Sequence, residues 1–179
     1  MSNTIPSTNH RSPEVVVADF FKAFARRDVE ALMQMVSDDI VENLAGVGVI
    51  TGREEERAFL TGLFASFQDM KTEVMRVTAA GRVVAVEWRR RGTFTGSPWQ
   101  GLPASGNSFD ARGAAFFEVD DGHVTRVTVY SDSAQFARDL GVLPPVGSAA
   151  ERLATAIYRI RVRARRWLRA VAVAPESRS

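Results

Sequence analysis

A run of strand-like segments between residues 72 and 130 constrains the fold of this chain more than any other feature. The first pair, residues 72–78 and 82–94, is rich in β-branched and aromatic side chains, and Ala80-Gly81 supplies a turn between them. The second pair flanks Asp120-Asp121-Gly122, a strong signal for a tight hairpin turn. Two successive hairpins of this kind predict an antiparallel sheet.

The segments before the sheet have the spacing of helices. Ser12-Pro13-Glu14 offers a cap, a proline at the first helical position and an acid in the first turn. Apolar residues recur at helical spacing after this start, and again over residues 59–67. Helices followed by strands indicate an α+β fold, in which a curved antiparallel sheet is covered by N-terminal helices and forms a cone-shaped barrel.

Composition divides the chain of 179 residues into four expected parts. We expect residues 1–12 to be a disordered leader, 13–143 to be the cone domain and 144–147 to be a linker. Residues 148–179 are expected to form a basic amphipathic helix and tail. Eight arginines against two glutamates give this last part a charge of +6, whereas the rest of the chain carries −4. An anionic partner would therefore bind the tail.

The tail helix has an apolar stripe that needs a partner surface. The stripe consists of Leu153, Ile157, Ile160, Ala164, Trp167, Leu168 and Val171. The favoured expectation is that the stripe docks on its own barrel or on a second subunit, and the alternative is peripheral contact with a membrane. Nucleic acid is not an expected partner, because Tyr158 and Trp167 are too isolated to make a base-stacking surface.

The residue inventory excludes several kinds of chemistry. There is no cysteine, and the two histidines, His10 and His123, are far apart in the sequence, which argues against a zinc site and a Ser–His–Asp triad. No phosphate-binding loop motif is present. What remains is acid–base work by carboxylates, tyrosine or asparagine within an apolar cavity, or simple ligand binding. With no signal peptide and no spanning segment evident, a cytoplasmic location is expected.

Strand alternation leaves two site questions open. On the first strand, Val41 and Asn43 share one face and Glu42 lies on the other, and the sequence alone does not decide which face is inside. Glu87 and Arg89 are either a surface ion pair or a polar pair inside the cone, and the surface interpretation is favoured because charged side chains are seldom buried.

Asp132 stands where the last strand gives way to a helix, in V-Y-S-D-S-A-Q-F-A-R-D-L-G. Between two serines, this aspartate is well suited to cap the helix, and from the residues alone capping is the favoured role. The alternative is that its carboxylate does the chemistry.

The segments V-A-V-E-W-R-R-R-G-T-F-T-G (84–96), G-L-P-A-S-G (101–106) and Y-S-D-S-A-Q-F-A-R-D-L-G (130–141) resemble the SnoaL-like polyketide cyclases. These belong to the nuclear transport factor 2-like superfamily, with ketosteroid isomerases and limonene-epoxide hydrolases. The resemblance covers about residues 13–143. It implies a cone whose mouth accepts a hydrophobic small molecule and closes a ring by intramolecular aldol chemistry without metal or cofactor.

The resemblance also implies site residues. It makes Asp132 the acid/base, and it places Asn43 where the amide could donate a hydrogen bond to a developing enolate. The expected substrate contacts are Val41, Glu87, Arg89, Trp99 and Tyr130. Asn43 stands where ketosteroid isomerases have their basic aspartate, and Val41 stands where epoxide hydrolases have a tyrosine, so neither of those mechanisms is expected to run unchanged.

The expected function is a cofactor-free cyclase or isomerase for a hydrophobic, polyketide-like molecule. The alternatives are a non-catalytic binding or interaction module of the same fold, and an epoxide hydrolase with a rearranged site. An enzyme is favoured over a non-catalytic module, and the sequence leaves both open. A homodimer is the expected assembly.

Overall fold

The computed structural model describes residues 11–172, with side chains to Arg165; most of the expected leader and the last seven residues of the tail lie outside the described residues. The first elements are α1 (Pro13–Arg26), α2 (Val29–Met33), β1 (Val36–Leu44), β2 (Gly48–Thr51) and α3 (Arg53–Ser66). The strands that follow are β3 (Lys71–Ala80), β4 (Val83–Thr93), β5 (Ser108–Asp120) and β6 (His123–Ser131). The chain then forms α4 (Ser133–Asp139) and α5 (Ala149–Ala172).

The six strands form one curved, unclosed sheet in the order β2-β1-β6-β5-β4-β3. Both predicted hairpins are present, as β3–β4 and β5–β6. All neighbours are antiparallel except β1 and β6, which are parallel. Between these two strands the chain passes through β2, α3, β3, β4 and β5. The predicted α+β class, with helices covering a curved sheet, is confirmed.

Helix α1 forms for the reasons visible in the sequence. Ser12 caps it by accepting a hydrogen bond from the backbone N–H of Val15 at 3.4 Å, and Pro13 is its first residue. Its buried face includes Phe20 and Phe24, which pack edge-on against Phe117 of β5 and Phe64 of α3. The helices α1 and α3 thereby cover the concave face of the sheet.

Strand β2 has no signal of its own in the sequence. None of its four residues is buried, so the sequence carries no inside–outside alternation there. The strand exists because β1 offers it a backbone ladder, in which Leu44 pairs with Gly48 and Val41 with Thr51.

Helix α5 projects from the domain after a turn at Val146-Gly147. Within the described part of the chain it packs on no other helix or strand, so the expected docking of its stripe on its own barrel is not observed. Leu153, Ile157 and Ile160 are 62%, 45% and 67% exposed. No helix within residues 11–172 combines the length and apolarity needed to cross a membrane.

Candidate active site

An apolar cavity of about 260 Å³ lies between the concave face of the sheet, α3, α4 and the loop after β4. It is slightly smaller than the range of about 300–1,000 Å³ that is usual for small-molecule sites. Its lining is mainly hydrophobic and includes Leu44, Leu63, Phe67, Phe109, Phe136, Val129 and Leu140. Such a lining suits an apolar molecule with few polar groups.

The loop between β4 and β5 closes one side of the cavity. Two backbone hydrogen bonds between Trp99 and Leu102, of 3.0 and 2.9 Å, tie the tip of this loop into a turn. The Trp99 ring lies 5.3 Å from Phe59 and 6.0 Å from Phe67 between ring centroids. Among the residues expected to contact a substrate, Trp99 is the one that lines the cavity.

Arg90 is the charged residue in the lining of this cavity. Its guanidinium carbon lies 4.6 Å from the centre of the Phe24 ring and 4.3 Å from that of Trp88. Burial lowers the pKa of Arg90 to about 10, against an opposing effect of Glu42, so the side chain stays cationic at neutral pH. The cavity wall therefore carries one positive charge held between two aromatic rings.

Two N–H groups of this wall have no acceptor. The Nε of Arg90 and the indole Nε1 of Trp88 are both buried, and neither has a hydrogen-bond partner within the described residues. Buried donors are nearly always paired in folded proteins, so two unpaired donors on residues that line one cavity call for an explanation. Both atoms are shielded from the open space of the cavity, so a ligand oxygen could accept from them only after these side chains shift.

Two buried carboxyl groups lie behind Arg90. Glu42 is 9% exposed and Glu56 is 3% exposed, and neither belongs to the cavity lining itself. Burial, followed by the charge of Glu42 and the hydrogen bond to it, raises the pKa of Glu56 to about 9. Burial also raises the pKa of Glu42, while the hydrogen bond from Glu56 and the charge of Arg90 oppose this increase. The pair of carboxyl groups therefore retains a proton at neutral pH.

Sequence reasoning missed both glutamates, although the signals were present. Glu42 lies on the even-numbered face of β1 with the buried Ile40, which strand alternation had separated from Asn43 without deciding which face is inside. Glu56 precedes Leu60 and Leu63 at helical spacing and so lies on the buried face of α3. Only the tertiary structure, which buries the two side chains next to each other, distinguishes them from ordinary surface acids.

The stability of the protein is expected to fall as pH rises because of Glu56. The unfolded chain ionises this group near the ordinary pKa of 4.5, whereas the folded protein keeps the proton until about pH 9. The contribution is therefore complete below pH 4.5 and disappears as pH rises through 9, at about 1.4 kcal/mol per pH unit for one proton. Urea unfolding of the wild type and Glu56→Gln at pH 5, 7 and 9 measures this slope.

Glu56→Gln should flatten the pH dependence, because glutamine cannot ionise. Glu54→Gln is the matched control, since Glu54 lies on the same helix with an exposed side chain and should leave the slope unchanged. A slope that persists in Glu56→Gln would show that other groups cause it.

Five of the residues predicted from the sequence, Val41 among them, face away from the cavity. Asn43 is exposed on the opposite face of β1 from Glu42, and Glu87 and Arg89 lie on the opposite face of β4 from Arg90. Arg89 binds Asp110 through a 2.7 Å hydrogen bond from Nε. Tyr130 is exposed and packs edge-on against Phe116.

The physical reason is the two-residue period of a strand. A site residue that is assigned one position too early or too late along a strand lies on the opposite face of the sheet. Val41 is a further example, because it lies on the face of β1 opposite Glu42 and is not part of the cavity lining. The surface interpretation of Glu87 and Arg89 is the one that the structure supports.

Asp132 caps α4. Its Oδ1 accepts a 2.9 Å hydrogen bond from the backbone N–H of Gln135, and the side chain is exposed. The carboxylate faces a separate surface depression shared with Asp110, Arg112, Gln135 and Asp139. Its two neighbours, Ser131 and Ser133, line the apolar cavity. The structure thus gives Asp132 the capping role, and a role in chemistry stays a prediction.

No group of three or more His, Cys, Asp or Glu side chains within the described ranges is arranged to hold a metal ion.

Comparison with known proteins agrees with this architecture. Residues 17–127 match the SnoaL-like domain family. A candidate polyketide cyclase from Xanthomonas campestris is 27% identical, with 74% of this chain and 99% of that chain aligned and a TM-score of 0.63. IdmH from Streptomyces antibioticus, another candidate polyketide cyclase, is 26% identical over 73% of this chain and 99% of that chain, with a TM-score of 0.62.

A nuclear transport factor 2-like protein from Burkholderia thailandensis shares the fold at 23% identity and a TM-score of 0.62, covering 72% of this chain and 97% of that chain. No sequence among curated proteins is significantly similar to this one. The fold is thus that of the nuclear transport factor 2-like proteins, which the curved sheet and its covering helices already define. Within it, the chain belongs to the SnoaL-like domain family.

Proposed function

We propose that this protein is a cofactor-free cyclase or isomerase that acts on an apolar molecule carrying at least one carbonyl group. The observation that carries the proposal is the pair of unpaired N–H donors, on Trp88 and Arg90, at the wall of an otherwise apolar cavity. Donors held in a dry site stabilise negative charge that develops on a substrate oxygen, because they need no reorganisation during the reaction.

In this proposal a substrate carbonyl oxygen accepts hydrogen bonds from Arg90 and Trp88. The positive charge of Arg90 then favours the enolate that forms when a proton leaves the neighbouring carbon. The apolar lining holds the rest of the molecule folded, so that the enolate carbon lies close to a second carbonyl carbon. A new carbon–carbon bond forms, and the resulting alkoxide takes up the proton that was removed.

The proton is exchanged by the carboxyl pair behind Arg90. The charge of Glu42 acts on Arg90, and the pair keeps a proton at neutral pH because the pKa of Glu56 is raised to about 9. A pair that holds one proton between two carboxyl groups supplies both an acceptor and a donor. The pair is not part of the cavity lining. The substrate proton therefore reaches Glu42 only after the Arg90 side chain has turned toward the substrate oxygen.

Asp132 is the second candidate for the base. Ser131 and Ser133 both line the cavity, so a change of the Asp132 side-chain rotamer would break its cap and bring the carboxylate toward the same space. The cost is the loss of one helix cap, about 1 kcal/mol.

The test follows the proton directly and does not depend on knowing the natural substrate. Purified protein is incubated in D₂O with a panel of apolar cyclic ketones and 1,3-diketones, and exchange of the hydrogens beside the carbonyl is measured by NMR. We expect exchange above background in the wild type, a loss of about 100-fold or more in Glu42→Gln, and a loss of similar size in Trp88→Phe, which removes one donor and keeps an aromatic ring.

The controls separate the candidates. Glu87→Gln, on the outer face of the same sheet, should exchange like the wild type, and thermal melting establishes that each variant is folded. If Asp132→Asn abolishes exchange while Glu42→Gln retains it, Asp132 is the base. If both variants exchange as fast as the wild type, carboxylate catalysis is refuted. If the wild type binds ketones but exchanges them no faster than background, a binding module of the same fold remains.

A further inference from the structure

The exposed helix α5 combines an apolar stripe with a dense cationic surface. Leu153, Ile157 and Ile160 lie on one face at helical spacing, and each is at least 45% exposed. Within the described residues α5 packs on no other element, so this face has no partner in the chain itself. Exposing three large aliphatic side chains in a row is unfavourable in water, at about 25 cal/mol for each Å² of apolar surface.

The arginines are arranged on both sides of that stripe. The helix carries seven arginines and one glutamate, a charge of +6. At about 100° per residue, Arg161 lies beyond one edge of the stripe and Arg163 beyond the other, each within about 60° of it. Arg159 and Arg165 flank the opposite face, which also carries Tyr158 and Val162, and both arginines are exposed. A helix with this distribution can lie flat in an interface, with its stripe in an apolar phase and guanidinium groups reaching phosphates on both sides.

The charge decides among the surfaces that could cover the stripe. Pairing of α5 with α5 of a second copy would bring two charges of +6 together. The outer face of the sheet is apolar in part, and its acids Glu73, Glu87 and Asp110 are already paired with Arg91, Arg76 and Arg89, so they are not free to bind a cationic helix. A nucleic acid would satisfy the arginines and leave the stripe in water. An anionic lipid surface satisfies both.

We propose that α5 binds the protein to anionic phospholipid membranes as an in-plane amphipathic helix. The stripe enters the boundary between head groups and acyl chains, and the arginines bind lipid phosphates through paired N–H donors. The Pro144–Gly147 segment separates the helix from the cone, so the domain stays outside the membrane. This inference is independent of the proposed enzymatic activity.

Co-sedimentation of the full chain with lipid vesicles tests the proposal. Vesicles of phosphatidylcholine are compared with vesicles that contain about one third phosphatidylglycerol. We expect strong binding to the anionic vesicles only, and a decrease as salt is raised, because each arginine near the surface contributes about 1 kcal/mol of screened attraction. Absence of binding to the anionic vesicles overturns the proposal.

A matched pair of variants distinguishes insertion from simple charge attraction. Ile157→Glu and Thr155→Glu change the charge equally, but position 157 is in the stripe and position 155 is on the polar face of α5. We expect Ile157→Glu to bind at least about tenfold more weakly than Thr155→Glu, since only the former loses apolar insertion. Equal binding by the two variants contradicts an in-plane helix. So does a preference for duplex DNA or RNA over anionic vesicles at the same salt concentration.

Discussion

Replacing Arg90 with methionine is expected to lower the free energy of unfolding by about 3 kcal/mol at pH 8. Methionine keeps much of the packing against Phe24 and Trp88. It removes the positive charge that offsets the cost of burying an ionised Glu42. The folded protein then holds either an uncompensated carboxylate or a carboxyl group that must bind a proton. Equilibrium urea unfolding measures the loss.

The pH dependence of the stability loss in Arg90→Met distinguishes the effect of the lost charge from the effect of lost packing. Without Arg90, the pKa of Glu42 in the folded protein rises further above its ordinary value of 4.5, so stability is lost as pH rises. The defect should therefore be smaller at pH 5 than at pH 8. Adding Glu42→Gln to Arg90→Met should recover part of the loss at pH 8, because the buried charge is gone.

Arg91→Met is the matched control for this experiment. Arg91 is the next residue of β4, lies on the exposed face and is 3.7 Å from Glu73 in an exposed ion pair. A surface pair of this kind contributes about 0–1 kcal/mol, so the variant should be close to the wild type. An equal loss for Arg90→Met at pH 5 and pH 8 would show that Arg90 acts through packing alone.

Replacing Gly96 with alanine is expected to destabilise the protein by about 3 kcal/mol and to lower the melting temperature by about 10 °C. A Cβ at this position would lie 1.9 Å from the carbonyl oxygen of Ala65, which is backbone and has little freedom to move. The close approach exists because the loop after β4 is joined to the end of α3 by hydrogen bonds from Gly96 to Ser66, at 3.0 Å, and from Ser97 to Ala65, at 3.1 Å.

The same substitution should also disturb the cavity. Forcing the loop away from α3 displaces Trp99, which closes one side of the cavity. Gly48→Ala is the matched control, since an added Cβ there meets nothing within 4 Å and the backbone is in an ordinary conformation. Differential scanning calorimetry of the two variants provides the comparison, and equal melting temperatures would refute the steric argument.

Much of the fold could be predicted because its signals are local. The hairpin turn at Asp120-Asp121-Gly122, the capped start of α1 and the long strand-like runs each depend on residues close together in the chain. Strand β2 could not be predicted, because it is stabilised by pairing with β1 and not by a pattern of its own. The capping role of Asp132 was visible in the two flanking serines and the helix that follows.

The candidate site could be predicted only in part. The sequence limited the chemistry to carboxylates and hydrogen-bond donors in an apolar space, because it has no cysteine and only two histidines. It pointed to Asn43, Glu87 and Arg89, whereas the structure brings Glu42, Glu56 and Arg90 together inside the cone. Alternation separates the two faces of a strand but carries no information on which face the helices will cover.

By itself, then, the sequence determined the element order, the turns, the family resemblance and the basic amphipathic character of the last helix, all of which follow from neighbouring residues or from short motifs. Only the tertiary structure decided that Glu42 and Arg90 point inward, that Asp132 caps α4 and that α5 is left without a partner surface. The reason is that burial of a strand face, the shift of a pKa and the exposure of a stripe all depend on residues far apart in the chain.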